Sequence, residues 1–151
     1  MSDYFEEGHT EDIFEYIPPQ KTNQIFTPRW VVKKMVDELE AENPGCFDDP
    51  THTFADLYMK SGLYITEIVK RLFGSEAIKR TYPDDGERIR HILREQVYGL
   101  APTRIIQLIA TNYILGFDET LKSETKNFKQ GDAAEAAKNG TLEELVNRSF
   151  Q

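Results

Sequence analysis

The stretch FADLYMKSGLYITEIVKRLF, residues 54–73, joins a short apolar segment, a Ser-Gly turn and an amphipathic helix. Its first part lies within HTFADLY, residues 52–58, which is short, apolar and prone to form strands, so a buried strand is predicted there. Apolar residues then recur at helical spacing, which predicts a helix after Gly62; they are Ile65, Ile68, Val69, Leu72 and Phe73. A strand that leads through a glycine turn into a helix is typical of α/β proteins.

The segments around this unit continue the alternation of helices and strands. FTPRWVVKKMVDELEAENPG, residues 26–45, predicts a helix because Thr27 can cap it and Pro28 suits its first position. Its apolar face is formed by Val31, Val32, Met35, Val36 and Leu39. QVYGLA, residues 96–101, and TKNFKQGDA, residues 125–133, predict two more strands.

Three further helices are predicted downstream, at residues 87–96, 102–117 and 140–150. The second of them, PTRIIQLIATNYILGF, is apolar on most sides, so we expect it to be heavily buried. Residues 74–86 are polar and contain a Pro-Asp-Asp-Gly turn, which predicts a loop. Helices that alternate with strands in this way predict an α/β fold with a mostly parallel sheet.

The composition is that of one soluble domain. The chain has 151 residues, of which 39% are hydrophobic and 29% charged. An acidic, aromatic N-terminal arm is expected over residues 1–22 and the folded domain over 23–151. The sequence contains no apolar run long enough to span a bilayer and no secretory signal, so a cytoplasmic protein is expected. Cys46 is the only cysteine, which excludes an intramolecular disulfide and a four-cysteine zinc site.

The net charge of −8 disfavours non-specific binding to nucleic acid, which requires clustered lysine and arginine. VKRLFGSEAIKR, residues 69–80, and DGERIRHILRE, residues 85–95, are the most basic stretches. Each can be read as a local phosphate-binding patch or as a solvated helix face.

A ligand site is expected where the three predicted strands end. In an open parallel sheet, ligands bind beyond the carboxyl ends of the strands. Residues 56–62, 99–103 and 131–132 follow these ends and contain small or acidic residues. The site is therefore predicted to be built from three loops.

Four residues of these loops can act on a ligand. Lys60 can attract an anionic group, Asp56 can accept from an ammonium or hydroxyl group, and Gly62 would allow a ligand to approach the backbone. Asp132 can accept from an exocyclic amine. Each also has a structural reading, as a surface lysine, a turn glycine or a helix-capping aspartate.

QIFTP, residues 24–28, followed by an amphipathic helix, resembles the N-terminal cofactor motif of DNA adenine-N6 methyltransferases from bacterial restriction–modification systems. In that family the Phe-Thr-Pro segment covers the methionine end of S-adenosylmethionine. The resemblance therefore implies that Phe26, Thr27 and Pro28 bind this cofactor.

ADLYMKSGLYITEI, residues 55–68, is similar to the main cofactor motif of the same family, usually Asp-Pro-x-x-Gly-Ser-Gly-x-Phe-Leu. The matching positions are Asp56, Ser61, Gly62 and Tyr64, with Ile65 in place of leucine. Lys60 replaces a glycine, as in a Lys-Ser-Gly form that resembles a subgroup of large restriction–modification enzymes. The resemblance assigns Asp56, Lys60, Ser61 and Gly62 to cofactor binding.

VYGLAPTRIIQLIATNYIL, residues 97–115, and NFKQGDA, residues 127–133, are similar to the next two units of the family. The resemblance implies that Asp132 holds the adenine of the cofactor. It covers roughly residues 23–134 and implies a partial Rossmann-like methyltransferase fold, with a mostly parallel sheet and flanking helices.

The sequence departs from the family at two places. Ala101 stands where an acidic residue would bind the ribose hydroxyls, a contact of about 1.5–3 kcal/mol for a charged acceptor. The catalytic Asp/Asn-Pro-Pro-Tyr/Phe motif does not occur, and IPPQ, residues 17–20, has only its two prolines. We therefore expect a cofactor-binding part that does not transfer methyl groups alone.

Two functions remain open at this stage. The resemblance implies an S-adenosylmethionine-binding portion of a DNA methyltransferase, whose full-length form binds DNA while this chain binds it weakly or not at all. The alternative is a non-catalytic interaction module with a degenerate methyltransferase fold. An incomplete sheet would then pair with a second copy or a partner chain.

Overall fold

A computed structural model describes residues 28–116, 119–121 and 123–150. The helices are α1 (Arg29–Glu42), α2 (Leu63–Gly74), α3 (Glu76–Thr81), α4 (Asp85–His91), α5 (Arg104–Ile114), α6 (Ala133–Lys138) and α7 (Leu142–Phe150). Residues Ile92–Gln96 continue α4 as a π-helix, and Glu119–Leu121 form a 3₁₀ turn. The strands are β1 (Phe54–Asp56), β2 (Val97–Ala101) and β3 (Phe128–Gln130).

The three strands form one parallel sheet in the order β1-β2-β3. Phe54 lies opposite Val97, and Gly99 lies opposite Phe128. Parallel neighbours need long connections, which here contain α2 to α4 and then α5. The predicted α/β fold is confirmed, and its architecture is that of a partial Rossmann-like sheet flanked by helices.

Apolar side chains cover both faces of the sheet. On one face, α1, α2 and α5 contribute Val32, Val36, Ile65, Leu72 and Ile106 to the larger core cluster. On the other face, Leu100 packs with Ala133, Ala136 and Leu145 from α6 and α7. Alternate residues of β2 therefore point to the two faces, as a strand requires.

β1 is not the buried strand that its apolar sequence predicts. Ala55 is exposed, and Phe54 and Asp56 are only half-buried. Within the described residues β1 pairs with β2 alone, so it lies at an edge of the sheet. The strand propensity of a segment depends on its local sequence, whereas the burial of that strand depends on which strands lie beside it.

Two predicted segments differ in the structure. Residues 74–86 are not a loop throughout, because Ser75 caps α3 by accepting from the Ile78 N–H at 3.4 Å and Ile78 is fully buried. The helix predicted from Pro102 begins at Arg104 and is amphipathic rather than buried on most sides. Its outer face leaves Ile105 and Leu108 about half exposed, at 51% and 47%.

The first described helix starts one residue later than predicted. Pro28 precedes α1 in an extended conformation, and its carbonyl oxygen accepts from the Val31 and Val32 N–H groups. Met35, which was expected on the apolar face, is 47% exposed. In the part of the chain that the structure describes, no helix has the length and apolar character needed to cross a membrane.

Candidate ligand site at the carboxyl ends of the strands

The three strand ends lie next to one another, as predicted. The Met59 N–H, just after β1, donates to the Leu100 carbonyl oxygen of β2 at 2.8 Å. The Gly131 N–H, just after β3, donates to the Ala101 carbonyl oxygen at 2.7 Å. These two hydrogen bonds join the loops after β1 and β3 to the last two residues of β2.

Gly62 forms the turn between β1 and α2 in a left-handed conformation, with φ of +82°. A Cβ atom there would lie 2.8 Å from the Ala110 carbonyl oxygen of α5. The close approach that this glycine allows is therefore made by α5. A clash with backbone and a positive φ both select glycine at this position.

The N-terminal end of α2 is suited to an anionic group. Gly62 provides no side-chain cap, and the first turn of α2 contains no acidic residue. Ser61 is buried, and its hydroxyl accepts from the Leu63 N–H at 3.3 Å. The positive end of the helix dipole thus lies at a turn without a carboxylate of its own.

Asp56 ends β1 as a half-buried carboxylate. Burial raises the pKa of Asp56, while a hydrogen bond from the Tyr58 N–H and the charge of Lys60 act in the opposite direction. The Tyr58 N–H donates to Oδ1 at 3.0 Å. Desolvation also raises the pKa of Tyr64, and the nearby charge of Asp56 adds to that shift. The hydrogen bond from Tyr58 and the charge of Lys60 therefore only partly offset the cost of burying the Asp56 carboxylate at the edge of the sheet.

Lys60 is exposed beside this carboxylate. Within the described residues, no salt bridge includes the Lys60 ammonium. The positive charge of Lys60 acts to lower the pKa of the Asp56 carboxyl group. Lys60 and the start of α2 thus place positive charge beside the Asp56 carboxylate.

Asp132 lies in a different setting. It is exposed and caps α6, with Oδ1 accepting from the Glu135 N–H at 2.9 Å. It lines an open cleft of about 410 Å³ between α6 and α7, together with Gly131, Glu144 and Arg148. Residues 56–62 do not line this cleft. The structure thus gives Asp132 a capping role beside a cleft that is separate from the Ser61–Gly62 turn.

The structure describes only the last residue of the Phe26–Thr27–Pro28 motif. Phe26 and Thr27 lie outside the described residues. Pro28 leads into Arg29, the first residue of α1, and Arg29 lines a crevice with Leu63, the first residue of α2. The starts of the two helices are therefore adjacent, which places Pro28 at the same end of the molecule as the Ser61–Gly62 turn.

Ala101 and Met59 have buried contacts that the sequence did not indicate. The Ala101 side chain is fully buried in the larger core cluster, so this position is occupied by an apolar contact. Met59 is also fully buried, and a Cβ atom on Gly99 would lie 2.6 Å from its sulfur atom. A glycine inside a strand signals such a close approach, but only the structure identifies the neighbour.

The basic stretches noted in the sequence hold arginines that are paired with carboxylates. Arg71 binds Asp37 at 2.6 Å, and Arg94 binds Glu124 at 2.6 Å. Arg88, which is 3% exposed, donates to Asp85. Arg71 joins α2 to α1, Arg94 joins the π-helix to the segment before β3, and Arg88 pairs within α4. This pairing of the arginines with carboxylates favours the structural reading over a phosphate-binding patch.

No protein-family model matches the chain, and no solved structure matches it. The chain is similar to a protein of Mycoplasma pneumoniae (strain ATCC 29342 / M129 / Subtype 1) named "Uncharacterized adenine-specific methylase". The two are 24% identical over 103 residues, which is 68% of this chain and 24% of that protein. The chain thus spans about a quarter of the length of this relative. The similarity supports a distant relationship to a methyltransferase.

Proposed function

We propose that this chain is the S-adenosylmethionine-binding part of a DNA adenine-N6 methyltransferase of a restriction–modification system. The observation that carries the proposal is the β1–Gly62–α2 unit in a chain that is similar to an adenine-specific methylase. Its turn lies at the open end of a 12-residue helix and beside an exposed lysine.

The residues at this turn fit the polar groups of the cofactor. Its carboxylate is anionic, and the start of α2 with Lys60 offers positive potential. Its ammonium and ribose hydroxyls are donors, and Asp56 is an incompletely compensated acceptor. When bound, the cofactor supplies a methyl group on a sulfonium centre. The residues of this chain hold and orient it.

Phe26, Thr27 and Asp132 complete the proposed site on the basis of the family resemblance. Asp132 keeps one carboxylate oxygen engaged by the Glu135 N–H. Its other oxygen has the chemistry to accept from an adenine amine. We propose that this chain binds cofactor without methyl transfer, since its sequence lacks the Asn/Asp-Pro-Pro-Tyr/Phe motif that holds a flipped adenine.

Thermal unfolding in the presence of S-adenosylmethionine tests the proposal. A ligand at about 100 times its dissociation constant stabilises the folded state by about 2.7 kcal/mol, so a clear rise in Tm is expected. Lys60→Ala should reduce the rise. Lys126→Ala is the matched control because Lys126 is also exposed but precedes β3, at the other end of the strands. No rise with millimolar cofactor would reject binding by this chain.

The free edge of β1 favours a second candidate function. Ala55 is exposed, and within the described residues β1 has a partner on one side only. A non-catalytic module would use this edge to pair with another chain or a second copy. Light scattering distinguishes the two functions: self-association without a cofactor-dependent Tm supports the module, and a cofactor-dependent Tm in a monomer supports the methyltransferase part.

A further inference from the structure

The side chains of residues 99–103, at the end of β2, include no carboxylate and no amide. The structure describes all of these residues, which read Gly-Leu-Ala-Pro-Thr. The Ala101 side chain is fully buried in the larger core cluster. The Thr103 hydroxyl accepts from the Ile106 N–H at 3.3 Å and so caps α5. The side chains at this strand end therefore serve the core and the start of a helix.

The backbone carbonyl oxygens at the end of β2 are engaged by the neighbouring loops. The Leu100 carbonyl oxygen accepts from the Met59 N–H, and the Ala101 carbonyl oxygen accepts from the Gly131 N–H. These donors belong to the loops after β1 and β3, so both loops are held against the end of β2. A ligand that crosses this strand end meets carbonyl oxygens that already accept a hydrogen bond and an alanine that faces the core.

The end of β1, by contrast, carries charged groups of both signs. Asp56 is a half-buried carboxylate, and Lys60 is exposed four residues later. The 12-residue helix α2 begins after Gly62 without an acidic residue in its first turn. A carboxylate on one side and an ammonium with a helix start on the other complement the ammonium and carboxylate of an α-amino acid. The polar recognition groups are thus concentrated at the first strand end.

We propose that the turn after β1 recognises the amino-acid end of its ligand, and that the end of β2 does not select for the ribose hydroxyls. The inference rests on the proposed function, because it concerns S-adenosylmethionine at the same site. It specifies which part of the cofactor determines the affinity. Sulfonium amino acids with an altered ribose should therefore bind nearly as well as the cofactor itself.

Calorimetric titration of the 151-residue chain with a set of matched ligands tests the inference. The ligands are S-adenosylmethionine, its 2′,3′-dideoxy analogue and its decarboxylated analogue. Removal of both hydroxyls should weaken binding by less than about twofold, whereas a carboxylate that bound them would make the loss about tenfold or more. Removal of the ligand carboxylate should weaken binding by about tenfold or more, because a charge-assisted contact is lost.

Lys60→Ala identifies the end of the cofactor that the turn contacts. In this variant the loss of affinity caused by decarboxylation should shrink by about threefold, because the ammonium that attracts the carboxylate is gone. The small effect of removing the hydroxyls should stay as it is. Lys126→Ala is the matched control, since Lys126 is exposed before β3, and it should leave both affinity ratios unchanged. Thermal unfolding without ligand verifies that each variant is folded.

The failure of this inference and the failure of the proposed function give different results. A dideoxy analogue that binds about tenfold more weakly than S-adenosylmethionine would overturn the inference and leave the proposed function intact. Equal affinities for the cofactor and its decarboxylated analogue would do the same. If S-adenosylmethionine itself does not bind at millimolar concentration, the proposed function and the inference are both rejected. A large loss on decarboxylation, reduced by Lys60→Ala, with little loss on removal of the hydroxyls supports the inference.

Discussion

The first and third strand ends each have an aspartate and a glycine between the strand and the following helix or at its boundary, but the two glycines have different neighbours. A Cβ atom on Gly62 would lie 2.8 Å from backbone of α5, in a residue whose φ is +82°. A Cβ atom on Gly131 would lie 3.2 Å and 3.3 Å from the side-chain ends of Leu145 and Leu100. Leucine side chains can move, whereas the backbone of a packed helix cannot.

The aspartates at the two strand ends also differ, in their burial and in their role. Asp56 is half-buried and its pKa is raised by burial, whereas Asp132 is exposed and serves as a helix cap. A binding site requires groups that are held in place at a cost to stability. The first strand end therefore has the features of a preorganised site, and the third strand end has those of an adaptable surface.

The largest effect is expected from Gly62→Ala. Strain from a positive φ costs about 1–3 kcal/mol, and overpacking against Ala110 adds about 1–3 kcal/mol. Denaturant unfolding should show a loss of about 2–6 kcal/mol. Gly45→Ala is the control, because Gly45 has a φ of +79° but no atom near its Cβ position. Equal losses in the two variants would show that α5 does not constrain the turn.

A smaller loss is expected from Gly131→Ala. The new methyl group requires Leu145 or Leu100 to move by a few tenths of an ångström, which should cost about 1 kcal/mol, at the lower end for overpacking. Repeating the substitution in a Leu145→Ala background should reduce this cost. A loss as large as that of Gly62→Ala would contradict the distinction between the two ends.

Asp132→Ala should destabilise the chain by about 1 kcal/mol, because it removes the side-chain cap of α6. Asp132→Ser should recover most of this stability, since serine is also a good capping residue. If Asp132→Ala has no effect on unfolding, capping is not the structural role of this residue.

The smallest effect, and one of opposite sign, is expected from Asp56→Asn. Because burial raises the pKa of Asp56, the folded state binds the proton more tightly, and stability falls as pH rises from the unfolded pKa of about 3.9 through the folded pKa. Asparagine retains an acceptor for the Tyr58 N–H. The variant should therefore be slightly more stable at neutral pH, and this advantage should disappear below about pH 3.

Asp49 is expected to show the opposite pH dependence of stability when unfolding is measured in the same way, because its pKa is lowered and not raised. Hydrogen bonds from Thr51 lower the pKa of Asp49. The stability that Asp49 contributes is present above the unfolded pKa and is lost as pH falls through the folded pKa. Asp49→Asn should therefore destabilise the chain at neutral pH and approach the parent at low pH. Parallel pH profiles for the two variants would contradict the assigned causes.

The elements with strong periodicity could be predicted from the sequence. α2 follows Gly62 with apolar residues at helical spacing, and β2 matches QVYGLA almost residue for residue. The sequence does not predict α3, because the segment is mostly polar and is followed by a Pro-Asp-Asp-Gly turn. Its buried apolar residue is Ile78 alone. A helix of 6 residues offers little periodicity to detect.

The arrangement of the strand ends could be predicted in outline, but the differences between them could not. Parallel strands bring their carboxyl ends to one edge of the sheet, so the position of residues 56–62 and of residues 131–132 beside the end of β2 followed from the alternation of elements. The contact of Gly62 with Ala110 and the edge position of β1 depend on neighbours that are distant in sequence. Local propensity contains no information about such neighbours.

The central claim is that the turn after β1 binds S-adenosylmethionine. Amide chemical shifts of the ¹⁵N-labelled 151-residue chain, measured during titration with this cofactor, test the claim most directly. We predict saturable shifts centred on the amides of Lys60, Ser61, Gly62 and Leu63, with smaller shifts at Asp132. Shifts confined to the cleft between α6 and α7, or no shifts at millimolar cofactor, would contradict the claim.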